Sequence, residues 1–186
     1  MKFKTPQEYK PGEILISHGD IQMKLHKMAS EIASDFRGKH VLVIAVMKGS
    51  FMVLADLIRA LHEAGLHDLT VSAVTVGSYG SKTVSSKKPK LKHEIDIEVK
   101  DRHILLVEDI VDTGHTLQFV IAELQDRGAA SVKTFSLLSK PACREITIDA
   151  DYIGFTIPNV WVQGYGLDTD EWGRGNPNII IGPVTY

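Results

Sequence analysis

The stretch from Ile104 to Thr116 constrains this chain more than any other: Ile-Leu-Leu-Val-Glu-Asp-Ile-Val-Asp-Thr-Gly-His-Thr. Ile104 to Val107 is a continuous apolar run, the pattern of a strand buried on both faces, as in a parallel sheet. Glu108 and Asp109 stand together at its C-terminal end, and a third carboxylate follows at Asp112. Asp112-Thr113-Gly114-His115-Thr116 then offers small, hydroxylated and glycine positions before a helical pattern that begins near Leu117. A strand, a tight loop and a helix N-terminus make an anion cradle, because free backbone N–H groups and the positive end of the helix dipole converge there. The acids just upstream cannot hold the same phosphate. They suit sugar hydroxyls, a metal ion or a proton, and the two halves together describe a ribose 5-phosphate. Three other readings compete. Asp-Thr-Gly alone fits an aspartic protease loop, but such a loop needs neither the acidic pair nor the helix. An apolar strand ending in acids fits a P-loop NTPase, but Gly80-Ser81-Lys82-Thr83 carries an inserted serine and lacks the strand–helix frame. The third is a strand with a solvated acidic end.

The rest of the chain supplies the frame. Ile14 to Ile16 is a short strand candidate, and Ser17 or Asp20 can cap a helix whose apolar residues recur from Ile21 to Phe36 until Gly38. Val41 to Met47 is a second fully apolar strand, running into Lys48-Gly49-Ser50 and then an apolar helix from Phe51 to Leu61. That is a second strand–loop–helix anion site, with a lysine at the turn. Leu69 to Val76 predicts a third strand, Gly77 to Lys92 a long loop rich in lysine, and Glu94 to Val99 a short strand. After the Asp112–Thr116 loop, Leu117, Val120, Ile121 and Leu124 give a helical stripe closed by Gly128, and Ser131 to Leu138 the next strand. Strands alternating with helices predict an α/β fold, a Rossmann-like parallel sheet flanked by helices, with both binding loops at strand C-termini. At 186 residues one domain is expected. A formal net charge of -2 gives no bulk attraction to nucleic acid or membrane. Cys143 is the single cysteine, which excludes an internal disulfide, and Lys2, Lys4 and Glu8 take the place of an apolar leader. A cytoplasmic location is the expectation.

Val-Glu-Asp-Ile-Val-Asp-Thr-Gly-His-Thr resembles the phosphoribosyl pyrophosphate (PRPP) signature of the type I phosphoribosyltransferases, in their hypoxanthine-guanine branch. Lys48-Gly49-Ser50 resembles that family's pyrophosphate loop, where the bond before the lysine is often cis. Ser78-Tyr79-Gly80 is similar to its flexible loop, and Leu-Leu-Ser-Lys140-Pro to the pattern whose lysine faces the purine O6. Asp-Tyr-Ile-Gly-Phe-Thr-Ile-Pro (151–158) and Trp161-Val162-Gln163-Gly-Tyr-Gly-Leu-Asp168 resemble its purine-binding hood. Trp161 stands where phenylalanine is usual and Gln163 where valine is usual. Gln163 is expected either to alter base preference or to face solvent.

The resemblance implies transfer of a 5-phosphoribosyl group from PRPP to N9 of hypoxanthine or guanine, releasing pyrophosphate. Glu108 and Asp109 would hold the ribose hydroxyls and Mg²⁺, and Asp168 a second Mg²⁺. Thr113, Gly114, His115 and Thr116 would cradle the 5-phosphate; Lys48, Gly49 and Arg174 would meet the pyrophosphate. Asp112 would accept the purine proton, while Trp161 stacks on the base, Val162 meets its polar edge and Lys140 donates to O6. A core from about residue 20 to 140 would carry a hood from about 142 to 186 together with the N-terminal segment. A homodimer or homotetramer acting on small molecules, with neither nucleic acid nor membrane, is implied as well. A xanthine-preferring transferase and a non-catalytic nucleotide sensor or RNA-binding regulator on the same fold are the alternatives.

Overall fold

The structure, a computed structural model, describes residues 2–78, 89–93 and 95–184. In chain order the elements are β1 (Ile14–Ile16), α1 (His18–Asp35), β2 (Val41–Met47), α2 (Phe51–Glu63), β3 (Leu69–Ser78), β4 (Pro89–His93), β5 (His103–Val111), α3 (His115–Asp126), β6 (Ser131–Ser139), β7 (Tyr152–Thr156), β8 (Val162–Gln163) and β9 (Ile179–Ile181). Six strands form one sheet in the order β4-β3-β2-β5-β6-β7. Five of them are parallel, and β4 adds an antiparallel edge to β3.

The all-apolar strands are explained by what covers them. Along β2, Val41, Val43 and Ala45 join one core cluster, whereas Leu42, Ile44 and Val46 join another. The first cluster holds Ile21, Leu25, Met28 and Ile32 of α1 and Val53, Leu57 and Leu61 of α2. The second holds Leu117, Val120 and Leu124 of α3. Side chains alternate across a strand, so a sheet with helices on both faces needs apolar residues at every position. Ser17 caps α1 by accepting from the Asp20 backbone N–H, and Gly38 turns the chain with a φ of 73°.

Connectivity then fixes where a ligand can sit. From β2 the chain crosses over through α2 to β3 on one side, while β5 leads through α3 to β6 on the other. β2 and β5 are parallel neighbours, with Val41 opposite His103 and Ala45 opposite Val107. Their C-terminal ends therefore flank the topological switch point, where open α/β sheets leave a crevice.

Four expectations need correction. The 95–99 segment is not a strand; Ile95 and Val99 are buried as loop residues against the α3-side core. Residues 89–92 of the expected loop, with His93 after them, pair with β3, and residues 77 and 78 extend β3 itself. Tyr79, Gly80, Lys82, Lys87 and Lys88 lie outside the described residues. β7 belongs to the large sheet, parallel to β6, so the small subdomain begins later than residue 142. It is a three-stranded sheet, β1-β9-β8, made from both ends of the chain. Finally, β5 continues to Val111, so Glu108 and Asp109 lie on the strand, with Glu108 opposite Ser136 of β6.

Candidate functional site

Placing the acidic pair on a buried strand rather than in a solvated loop changes its chemistry. Glu108 is only 6% exposed, and its Oε2 has no hydrogen-bond partner. Burial, reinforced by the Asp109 charge, holds its carboxyl well above the ordinary range. Asp109 points the other way across the pleat and is raised to about 6 by burial, against the opposing pull of the Ile110 N–H and Arg174. A buried acid left without protein partners calls for a ligand that supplies them. Sugar hydroxyls and metal-bound oxygens both do so.

Downstream, Gly114 takes a φ of 95° and opens α3 with no side-chain cap, leaving the first N–H groups of that helix to the crevice. A side chain at Gly114 would also strike Ile148, whose Cγ2 would lie 2.7 Å from the added Cβ. Thr113 offers its carbonyl to the N–H groups of Glu145 and Ile146 at 3.0 and 3.2 Å, which steadies the loop from behind. Residues 108 to 114, 116 and 117 line a cavity of about 250 Å³. His115 turns away from it, its Nε2 lying 2.8 Å from Glu145 Oε2. The helix begins at His115 rather than near Leu117.

Lys48 and Gly49 approach from β2, and the Met47–Lys48 peptide is cis. Gly49 packs so tightly that a Cβ there would overlap the Asp109 carboxylate. Gly166, with a φ of 98°, packs on the other side against the Gly49 carbonyl. These contacts explain the Gly-Tyr-Gly run as a strap that docks the hood on the Lys48-Gly49 loop. Tyr165, buried between the glycines, donates to Asp56 of α2. Arg174 is held by the same strap, donating to the Gly166 carbonyl at 2.8 Å and pairing with Asp168 and Glu171 at 2.9 Å each. Lys48 pairs with Glu171 at 3.0 Å.

On the third side Lys140 is buried, its ammonium 4.0 Å from the Asp112 carboxylate. A base seated there would meet a donor and an acceptor together. Trp161 belongs to the hood, 58% exposed, with its indole N–H donating to Thr169 at 2.7 Å. Val162 is buried in β8, opposite Ile181. Gln163 neither faces solvent nor offers a free amide to a base. It is fully buried, exchanging two hydrogen bonds with the Val184 backbone and accepting from Thr169. Ser78 ends β3, and Tyr79 is not described.

Among the described residues no group of three or more His, Cys, Asp or Glu is arranged to hold a metal ion alone. Glu108, Asp109 and Asp168 therefore form no protein-only cage. A metal ion bound there would have to complete its shell with water and substrate oxygens.

Two residues of the site escaped the sequence reading. Arg144 is nearly buried and donates to the carbonyls of Val111, Asp112, Lys140 and Ile148, to Ser139 Oγ and to Asp149. One guanidinium thus ties the Asp112 loop to the Lys140 loop. The other is Glu171, between Lys48 and Arg174. Neither has a local pattern that announces it; what brings each into the site is a contact distant in sequence, Val111 and Asp112 for Arg144 and Lys48 for Glu171.

Residues 13–170 match the phosphoribosyl transferase domain family. The chain is 38% identical over 175 residues to the hypoxanthine-guanine phosphoribosyltransferase of Bacillus subtilis, covering 94% of this chain and 95% of that protein. It is also 38% identical to the bifunctional protein TilS/HprT of Listeria innocua; the match covers 94% of this chain and spans only 26% of that relative's length. Among solved structures, a hypoxanthine phosphoribosyltransferase variant from Trypanosoma cruzi, a ternary substrates complex, superposes with a TM-score of 0.86 at 34% identity. That match covers 92% of this chain and 95% of the other.

Proposed function

This chain belongs to the phosphoribosyl transferase domain family, on its hypoxanthine-guanine branch, and from that premise we propose that it transfers the 5-phosphoribosyl group of PRPP to N9 of a 6-oxopurine. The C1–oxygen bond to pyrophosphate breaks, the C1–N9 bond forms, and the base loses one proton. The observation that carries the reading is the convergence of three different environments on one sheet edge. These are an uncapped helix N-terminus, a buried unpartnered carboxylate and a cationic pair across the switch point.

The residues divide the work by chemistry. Thr113 to Thr116 and the open N–H groups of α3 hold the 5-phosphate. Glu108 and Asp109 take the ribose hydroxyls, where charge builds on the sugar as the anomeric bond breaks. Lys48 and Arg174 face the leaving group, and Gly49 lets the loop close on Asp109. Glu108 and Asp109 would also hold Mg²⁺ with substrate oxygens, and Asp168 a second Mg²⁺, which would supply the charge that neutralises pyrophosphate. Asp112 accepts the proton of the base while Lys140 donates to O6. Trp161 stacks on the ring, and the Val162 backbone meets its polar edge. Lysine is a donor without an acceptor, so adenine leaves it unpaired and is discriminated against by roughly 10⁴. A cytoplasmic homodimer or homotetramer belongs to the same proposal, resting on the family resemblance alone.

The test is an assay of PRPP and Mg²⁺ with hypoxanthine, guanine, xanthine and adenine in turn, following pyrophosphate and nucleotide. Turnover with hypoxanthine or guanine and almost none with adenine is the expected result. Asp112→Asn keeps shape without basicity and should lower turnover by ~10²-fold or more, with little change in PRPP affinity. Adenine used as readily as hypoxanthine would overturn the substrate class.

A further inference from the structure

Thr169 to Trp172 forms a minimal hairpin inside the hood. Thr169 and Trp172 exchange both backbone hydrogen bonds, at 3.0 and 2.9 Å. Asp170 and Glu171 at its tip have φ values of 52° and 70°. Two successive positive φ angles define the type I′ turn, whose natural occupants are asparagine and glycine. Aspartate tolerates that region, but glutamate has no local reason to be there. A side chain kept at a disfavoured backbone position is held by what it touches.

What Glu171 touches is the leaving-group subsite. One carboxylate oxygen accepts from Lys48 at 3.0 Å and the other from Arg174 at 2.9 Å. Its own N–H donates to Asp168 at 2.8 Å, so the turn cannot swing the carboxylate elsewhere without losing that bond. Lys48 is otherwise well exposed, and Arg174 also carries Asp168. A bidentate anion therefore already bridges the two cations across the crevice. Pyrophosphate has to take the same donors, and both anions cannot use them fully at once.

We infer that Glu171 is an internal competitor for the pyrophosphate subsite, a tethered carboxylate that occupies Lys48 and Arg174 in the empty site and returns to them as pyrophosphate leaves. The inference rests on the assignment of those two cations to the leaving group. Its consequence is kinetic as well as thermodynamic. Re-pairing of the cations shortens the stay of a highly charged product and keeps the two positive side chains from capturing other polyanions. Exposed ion pairs are individually weak, so the competition is a moderate one.

Glu171→Gln removes the charge and keeps the size and the turn. Calorimetric titration with pyrophosphate and Mg²⁺ should show binding about three- to tenfold tighter in the variant, hypoxanthine binding unchanged, and slower product release in stopped-flow. Lys48→Ala in the same titration should weaken pyrophosphate, and adding Glu171→Gln to it should then recover less than in the wild-type background. If Lys48→Ala leaves pyrophosphate binding unchanged, the assignment of the subsite fails and takes the inference with it. If Lys48→Ala weakens binding but Glu171→Gln leaves it equal or weaker, the subsite stands and the competitor role is wrong, Glu171 then being an organiser of the cations. A Glu171→Gly variant, at home at positive φ, guards against a folding artefact by giving the same tightening.

Discussion

Asp109→Asn separates what a binding residue does for the ligand from what it does for the fold. The Asp109 carboxyl has its pKa raised to about 6 from an ordinary 3.8, chiefly by burial. An acid with a raised native pKa holds its proton more tightly in the folded state than in the unfolded one. Stability therefore falls as pH rises from the unfolded value through the folded one, and the loss is complete above about pH 6. The gap between 3.8 and about 6, at 1.36 kcal/mol per pH unit, sets an upper bound of about 3 kcal/mol. Asp109 keeps part of its surface at the crevice rim, so screening by solvent brings the expected value to about 1–2 kcal/mol. Asparagine has no charge to desolvate. Urea unfolding of the ligand-free protein between pH 4 and pH 8 should therefore show the wild type losing stability relative to Asp109→Asn by that amount. The variant should gain stability at pH 8 while losing PRPP affinity. Parallel stability curves across this range, or a variant less stable at pH 8, would refute the reasoning. Glu108 shifts in the same direction in both proteins, so the difference between curves reads Asp109 and its coupling to Glu108.

Two further outcomes follow from the packing. Gly49→Ala places a Cβ on the Asp109 carboxylate, so kcat/KM for PRPP should fall by about 10²-fold, the usual effect of displacing a catalytic group by roughly 1 Å; an unchanged value in steady-state assays would mean that the loop does not seat on Asp109. Arg144→Ala strips partners from the Asp112 and Lys140 carbonyls and should cost about 3 kcal/mol or more of stability by denaturant titration, with KM rising for hypoxanthine and not for PRPP. Arg144→Lys, which cannot reproduce the planar fork, should recover only part of the hypoxanthine KM.

The parts of this fold that the sequence announces are those governed by short-range periodicity. β2 and the Ile104–Val107 part of β5 are unbroken apolar runs because helices cover both faces of the sheet, and α1 and α2 keep their stripes for the same reason. The two loops at the crevice are legible because glycine and charge follow directly on such strands. Legibility ends where identity depends on a distant partner. Tyr152 to Thr156 has the alternation of any short strand, and only pairing with β6 decides that it edges the large sheet instead of the hood. The 95–99 segment alternates too, yet the β3 edge is taken by β4, so its apolar residues fill the core without a ladder. Gln163 shows the same limit within the hood. A polar residue in an apolar motif suggests solvent or ligand, but the backbone of Val184, more than twenty residues on, satisfies it instead.

Charge obeys the same rule with more consequence for function. Glu108 and Asp109 read from sequence as two acids awaiting a ligand. Their placement on β5, inside the sheet, is what raises both carboxyls and makes the empty site the strained one. Around them the cations are already neutralised, Lys48 by Glu171, Arg174 by Asp168 and Glu171, and Lys140 by its approach to Asp112. The ligand-free crevice is thus unevenly matched. With the roles proposed above, Glu108 would gain from substrate hydroxyls, while Lys48 and Arg174 would have to give up their pairing with Glu171. On that proposal binding would be driven from the sugar and release eased from the diphosphate. A transferase that has to part with a polyanion after each turn is well served by that asymmetry.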